Sequence, residues 1–355
     1  MSSLLYYEDF CIDYTKITKQ QINNAKSLQL QNALFFLKQW FGKTQKFVFK
    51  TSGSTGIPKK ITFNKSQLVH SAKQTINFFK LNEADTFLVC LDVNMVAGKM
   101  MIARAALINS NILLVEPKSN PLKKLKHEVS FAAFVPLQMQ AILMDEESIS
   151  KLKNIKKIII GGTALNNTLE SEILKHKLNA WHTYGMTETL THVALKKIGS
   201  NKNYKPLTGV KIKLNSHGCL CIKYPPVQAK WITTNDLAKI YRNNTFKIIG
   251  RADFVINSGG YKIHPEMLET VISKTFNKQL QNVPFFVGSI KDKTLGNKCV
   301  LFIESNSPIH LDISLLKNHL NKYQIPKQII CLPRFTFTSS GKINRIKTIQ
   351  LFEKQ

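Results

Sequence analysis

The chain has 355 residues, 43% of them hydrophobic, with 50 Lys+Arg against 22 Asp+Glu and a formal net charge of +28. That length builds two or three domains with real cores, and the composition excludes a disordered or collagen-like chain. The lysines are scattered without a block of six, so the positive field favours small anionic ligands rather than a nucleic-acid groove.

No apolar run is long enough to cross a bilayer; FAAFVPLQMQAILM is interrupted by Pro136, Gln138 and Gln140. The first residues, MSSLLYYEDFCIDY, have neither the basic start nor the apolar core of a signal peptide, so a cytoplasmic location without membrane insertion is expected. Six cysteines show no framework spacing. Cys219 and Cys221 would place both thiols on one face of a strand, as structural thiols and not as a metal site.

Residues 17 to 41 read as helix, with Ile22, Leu28, Leu30, Leu34, Phe35 and Leu37 toward one side. From residue 46, short apolar runs alternate with amphipathic segments. KFVFK, TFLVCL, NILLVEP and IKKIIIGG read as buried strands. NKSQLVHSAKQTINFFK, AGKMMIARAALI and LNNTLESEILKHK read as helices. The alternation predicts an α/β class with layered, largely parallel sheet. After about residue 208, VKIKLN, CLCIKY, KWITT and FKIIG predict a small antiparallel, barrel-like subdomain. From about residue 253 a smaller α+β pattern follows. HPEMLETVISKTF and LDISLLKNHLNKY read as helices, and VPFFVGSI and KCVLFIE as strands.

Four stretches carry chemistry. FKTSGSTGIPKK follows a strand with hydroxyls and two glycines, a composition that can wrap phosphate oxygens and that surface turns also use. It fits neither the Walker nor the dinucleotide glycine pattern. WHTYGMTET presents Thr187, Glu188 and Thr189 beside Gly185. It suits a magnesium triphosphate, with Tyr184 able to stack on a base, or is simply a polar strand end. Asp236 in TNDLAKI can accept from ribose hydroxyls. SSGKINR near the end places Lys342 and Arg345 in a glycine-opened loop.

In this order FKTSGSTGIPKK, YGMTET, TND, GRADFVINSGGYKIHPEMLE and SSGKINR resemble the core motifs of the adenylate-forming superfamily of acyl- and aryl-CoA ligases, adenylation domains and luciferases. VAGKMMIARA, NPLKKL, FAAFVPLQ and YGMTETLTHVAL are similar to the compact o-succinylbenzoate–CoA ligase subfamily. Two departures stand out. Only some fifty residues precede the phosphate loop, where the family carries a longer subdomain. CLDVNMVAGK lacks the aromatic–His pair of many acyl sites and has Asn94 near that place.

The resemblance implies an N-terminal adenylate-forming domain over residues 1–252, with a shortened first subdomain, and a mobile C-terminal α+β domain over 253–355. It implies ATP, Mg²⁺ and coenzyme A as nucleotide, metal and co-substrate, and a small aromatic dicarboxylate as the acid. Thr51, Ser52, Gly53, Ser54, Thr55, Gly56 and Lys59 would hold the β,γ-phosphates. Thr187 would touch the α-phosphate and Glu188 the Mg²⁺. Gly161, Gly162, Thr163, Ala164 and Leu165, with Tyr184, would sandwich adenine. Asp236 and Arg251 would take the ribose. Lys342 would bridge the attacking carboxylate and the α-phosphate, Asp253 would be the hinge, and Gly259, Gly260 and Lys262 would serve CoA. The free carboxylate of the diacid calls for a cation: Lys99 and Arg104 on one helix, or His192. A homodimer is compatible with this reading. The competing expectations are another acyl- or aryl-CoA ligase, a free-standing adenylation enzyme loading a carrier protein in place of CoA, a basic nucleic-acid-binding protein and a non-catalytic relative.

Overall fold

The computed structural model describes residues 3–50, 60–281, 283–338 and 343–354. Thr51, Ser52, Gly53, Ser54, Thr55, Gly56, Lys59 and Lys342 therefore lie outside the described residues. Contacts divide the chain into two units: Met1–Ile212 with Ile222–Ile232, and Lys213–Cys221 with Thr233–Gln355.

The first unit is built on a nine-stranded sheet. From one edge to the other the strands are Lys205–Pro206, His192–Lys197, Ala180–Gly185, Lys157–Ile160, Phe131–Phe134, Thr86–Val89, Asn111–Leu114, Leu4–Tyr7 and Phe10–Asp13. Six neighbouring strands, from Ala180–Gly185 through Leu4–Tyr7, run parallel. The outer strands on both sides pair antiparallel. Runs such as Ile158, Ile159 and Ile160 are buried on both faces, which is why they lack alternation. Leu88, Phe134, Ile158 and Ile160 pack with Leu169 and Ile173 of the helix Asn167–Lys175 in one cluster. Each such fully buried side chain contributes about 1.5–3 kcal/mol. The chain passes from Asn111–Leu114 back across Thr86–Val89 to reach Phe131–Phe134, so strand order reverses there. Open parallel sheets bind ligands beyond strand carboxyl ends near such a reversal.

Several expected elements differ. The N-terminal helix is two pieces, Lys19–Asn23 and Leu28–Phe41, because Ser27 caps the second by accepting from Leu30 N. KFVFK is not part of the parallel sheet. It forms an antiparallel ribbon, Lys46–Lys50 with Lys60–Asn64, burying Phe47 and Phe49 and exposing Lys46, Val48 and Lys50. Its register pairs Lys50 with Lys60, on either side of residues 51–59.

The strands expected after residue 208 form a four-stranded sheet in the order Lys211–Leu214, Cys219–Tyr224, Gln228–Ile240, Phe246–Arg251. KWITT and TNDLAKI make one 13-residue strand within it. In the second unit, a three-stranded sheet of Phe285–Asp292, Gly296–Glu304 and Gln328–Leu332 separates two cores. Val287, Leu301 and Ile303 point to the helix Pro265–Thr275, while Phe286, Val300 and Phe302 point toward Ile349 and Phe352 of the helix Arg345–Phe352. This is the alternation a strand covered on two faces requires. LDISLLKNHLNKY was expected to be a helix but holds only the 3-10 turn Ile313–Asn318. Asn321 explains the stop: its side-chain oxygen accepts from Tyr323 N and Gln324 N at 3.1 Å each, closing a turn instead of extending the helix.

Candidate active site

In the first unit, the strand Lys157–Ile160 ends in Gly161–Leu165, the loop expected on adenine. Gly161 N donates to Phe134 O at 3.0 Å. A Cβ on Gly161 would lie 2.2 Å from Thr183 Oγ1, so any larger residue there would push that hydroxyl aside. Gly162, Thr163 and Ala164 are exposed, and Asn166 closes the loop by capping the next helix through Leu169 N at 2.8 Å.

The neighbouring strand Ala180–Gly185 carries Tyr184 and turns into Thr187–Thr189. A Cβ on Gly185 would sit 2.3 Å from Thr191 O, a clash that only glycine avoids. The Thr189 hydroxyl accepts from Met186 N at 3.0 Å and lies 2.8 Å from Thr191 O, tying the turn together. Leu190 then adopts φ 68°, ψ −43°, while its fully buried side chain anchors it. Such a backbone costs on the order of 1–3 kcal/mol and persists where its surroundings over-determine it. The turn leaves Thr187 and Glu188 half-buried, with neither side chain bonded to a described residue.

No group of three His, Cys, Asp or Glu side chains able to hold a metal occurs among the described residues. One free carboxylate beside a hydroxyl still fits Mg²⁺, which keeps water and phosphate oxygens as its other ligands.

The three acid-binding candidates separate. Lys99 and Arg104 lie on the helix Val96–Leu107, but five residues turn about 140° around a helix. Lys99 Nζ donates to Val48 O at 3.3 Å and lies 5.3 Å from the Phe49 ring centre. Burial, reinforced by Lys50 and opposed by Asp92, lowers its pKa. Arg104 instead is 1% exposed, in the core. Its Nη2 donates to Thr191 Oγ1 at 2.9 Å and Nη1 approaches Met101 Sδ at 3.6 Å. Its buried Nε has no hydrogen-bond partner, and no carboxylate pairs with it among the described residues. Burial lowers its pKa to about 9. His192 adjoins this group: its Nε2 lies 3.1 Å from the Thr75 hydroxyl, and burial followed by the charge of Arg104 holds its pKa well below the ordinary value. Arg104 and His192 thus come together, and Lys99 stands apart.

Sequence reasoning missed His182 and Tyr204. His182 is 5% exposed; its Nε2 lies 2.9 Å from Thr163 O and its Nδ1 2.7 Å from Tyr204 Oη. Only the even spacing of His182 and Tyr184 along one strand face hinted at a shared role.

In the second unit, Asp236 and Arg251 face each other across antiparallel strands. Arg251 Nη1 lies 3.3 Å from Asp236 Oδ1, while Nε and Nη2 grip Asp253 at 2.9 and 2.7 Å. Burial would raise the Asp253 pKa, but Arg251 outweighs it and lowers the value. Gly259 and Gly260, at φ 54° and 82°, form the two-residue turn of the hairpin Ile256–Ser258 with Tyr261–Ile263. Lys262 is exposed on the returning strand. Arg345 Nη2 donates to Glu269 Oε2 at 2.9 Å, and its guanidinium lies 4.8 Å from the Phe254 ring centre.

The architecture is a parallel α/β sheet with glycine turns and a hydroxyl–carboxylate pair beyond its strand ends, where open sheets of this class bind ligands. The profile of the AMP-binding enzyme family matches residues 45–221. A crystal structure of an acyl-CoA synthetase (AMP-forming)/AMP-acid ligase II-like protein from Dyadobacter fermentans is 35% identical, with TM-score 0.62, covering 92% of this chain and 95% of that one. The chain belongs to the AMP-binding enzyme family. A 2-succinylbenzoate–CoA ligase of Staphylococcus epidermidis is 27% identical over 327 residues, covering 84% of this chain and 68% of the relative. The Bacillus subtilis O-succinylbenzoate coenzyme A synthetase, solved with ATP and magnesium ion, shares the fold at TM-score 0.71 and 21% identity, covering 85% of this chain and 69% of that one. The chain thus spans about two thirds of the length of these two ligases.

Proposed function

We propose that this protein is an ATP-dependent, AMP-forming acid–CoA ligase acting on an aromatic dicarboxylate of the o-succinylbenzoate type. One observation carries the choice of acid: Arg104 is a buried cation without a counter-charge among the described residues. A charge taken out of water costs several kcal/mol unless an anion meets it. A diacid brings that anion, because one carboxylate reacts while the other stays free to meet Arg104, with Thr191 and His192 beside it. The named ligases among the relatives support the same acid class.

The reaction has two steps. The reacting carboxylate attacks the α-phosphorus of ATP and pyrophosphate leaves. The CoA thiol then attacks the acyl carbon and AMP leaves. The chain's contribution is positioning and charge stabilisation. Tyr184 and the Gly161–Leu165 loop hold the purine. Thr187 donates to the α-phosphate, Asp236 and Arg251 hold the ribose, and Thr51, Ser52, Gly53, Ser54, Thr55, Gly56 and Lys59 hold the outer phosphates. Lys342 neutralises the two anions as they approach. Mg²⁺ bound at Glu188 would supply further positive charge against the phosphates. Asp253 is the hinge between half-reactions, and Gly259, Gly260 and Lys262 serve the CoA step.

The test is pyrophosphate release with ATP and Mg²⁺ over a panel of o-succinylbenzoate, benzoate and malonate, with CoA or a pantetheinylated carrier as acceptor. Release should be fastest with o-succinylbenzoate and CoA. Lys342→Ala should abolish release yet still convert supplied o-succinylbenzoyl-AMP to the thioester. No acid-dependent release from the native chain would end this reading.

A further inference from the structure

The Gly161–Leu165 loop and the Tyr184 ring belong to different segments, yet one pair of side chains touches both. The Thr163 carbonyl can only accept, so His182 Nε2, 2.9 Å away, must carry the proton. Nδ1 of a neutral imidazole is then an acceptor, and Tyr204 Oη donates to it at 2.7 Å. The ring stays neutral because burial lowers its pKa to about 4. Tyr204 also leans on Tyr184, with ring centres 5.7 Å apart and planes at 57°. Lys196 Nζ lies 6.0 Å from the Tyr204 ring centre and 2.6 Å from Glu170 of the helix that follows the loop.

We infer that Tyr204 and His182 are positioning residues for the purine of a bound nucleotide, fixing the Thr163 side of its slot by hydrogen bonds and the Tyr184 side by ring contact. This rests on the reading of Tyr184 and the Gly161–Leu165 loop as purine walls. Neither residue needs to touch the nucleotide. Together they set the separation and tilt of two surfaces that do. A slot held in advance spares the ligand the cost of ordering it.

The experiment is calorimetric titration of the full chain with ATP, using Tyr184→Ala, Tyr204→Phe, His182→Leu and His182→Gln. Tyr184→Ala tests the wall itself and should weaken ATP by roughly tenfold, the usual worth of base–aromatic stacking. Tyr204→Phe keeps the ring but loses the hydroxyl, and should weaken ATP by about fivefold, one neutral hydrogen bond. His182→Leu should weaken it further, and His182→Gln, whose amide can still donate to Thr163 O, should recover part of the loss. Steady-state kinetics should place the change in the ATP KM, with kcat and the acid KM within about twofold. If Tyr184→Ala leaves ATP affinity intact, the purine lies elsewhere and the inference falls with that reading. If Tyr184→Ala weakens ATP but Tyr204→Phe does not, the reading stands and the positioning role is overturned. Parallel loss of ATP and acid affinity in Tyr204→Phe would also overturn it, because that is what a general packing defect does.

Discussion

The guanidinium of Arg104 donates to the hydroxyl of Thr191 across a separation of 87 positions, and this neutral oxygen is its closest polar partner at 2.9 Å. A surface arginine would have water; this one has Met101 sulfur, an unpartnered Nε and a neighbouring neutral histidine. Proteins retain an uncompensated buried charge where a ligand completes it, and stability suffers in the empty state.

Arg104→Met should therefore separate stability from function. Removing the buried charge should raise the unfolding free energy of the ligand-free protein by about 2 kcal/mol. The same change should raise the KM for o-succinylbenzoate by roughly 30-fold or more, the cost of losing one desolvated charge partner. The KM for ATP should hold. Urea melts and steady-state kinetics on one preparation decide it: a destabilised variant with normal acid KM would mean that Arg104 is a structural residue.

Two buried histidines should make stability fall on mild acidification. His182, at about 4, and His192, held well below its ordinary value, both have folded pKa values under the unfolded 6.5. The unfolded chain then binds protons that the folded chain refuses, so stability falls as pH drops below about 6.5. For His182 alone the loss is about 2 kcal/mol at pH 5. Urea midpoints between pH 7.5 and 5 should fall accordingly, and His182→Gln should flatten the slope. An unchanged slope in that variant would show that the ring is accessible to protons when folded.

What the sequence disclosed follows from the range over which each signal acts. The run Ile158–Ile160 and the glycines after it are local, and they read directly as a buried strand with a loop at its carboxyl end. Thr187 and Glu188 share one turn with Tyr184, so their grouping was visible too. Phe131–Phe134 was hidden because its apolar run continues into the helix Pro136–Ile142, and no periodicity divides the two. The N-terminal strand Leu4–Tyr7 gained its place only by pairing with Asn111–Leu114. At the site, Arg104 and His192 were each singled out, but helix phase, which sequence proximity conceals, sends Lys99 to Val48 and Arg104 to Thr191. Tyr204 had no motif to announce it, since its role depends on lying beside His182 and Tyr184 in the folded sheet.

Among the described residues of the second unit, Glu269 and Arg345 form the best-sheltered ion pair, with side chains 18% and 17% exposed. Glu269 also accepts from Val287 N at 2.8 Å, and Arg345 lies over Phe254 and Phe286. Burial raises the Glu269 pKa, and the charge of Arg345 opposes that shift. Arg345→Met leaves the carboxylate without its cation, so stability should fall by about 3 kcal/mol at pH 7. The deficit should shrink on acidification, because a protonated Glu269 no longer needs the partner. A pH-independent deficit in urea melts would point to lost packing against Phe254 instead.

Arg251 spends two of its three nitrogens on Asp253 and reaches Asp236 with the third, at 3.3 Å. A planar guanidinium held along one edge cannot pivot, so Asp253 sets the direction in which Arg251 faces. If Arg251 and Asp236 hold the ribose, Asp253→Ala should raise the ATP KM severalfold while the acid KM stays unchanged. The direct stability cost should be under about 1 kcal/mol, because the pair is partly exposed to water and salt. Pyrophosphate exchange at varied ATP measures the first quantity and urea melts the second. An unaltered ATP KM would overturn the aiming role of Asp253, and an unaltered ATP KM in Arg251→Ala as well would remove the ribose roles given to Asp236 and Arg251.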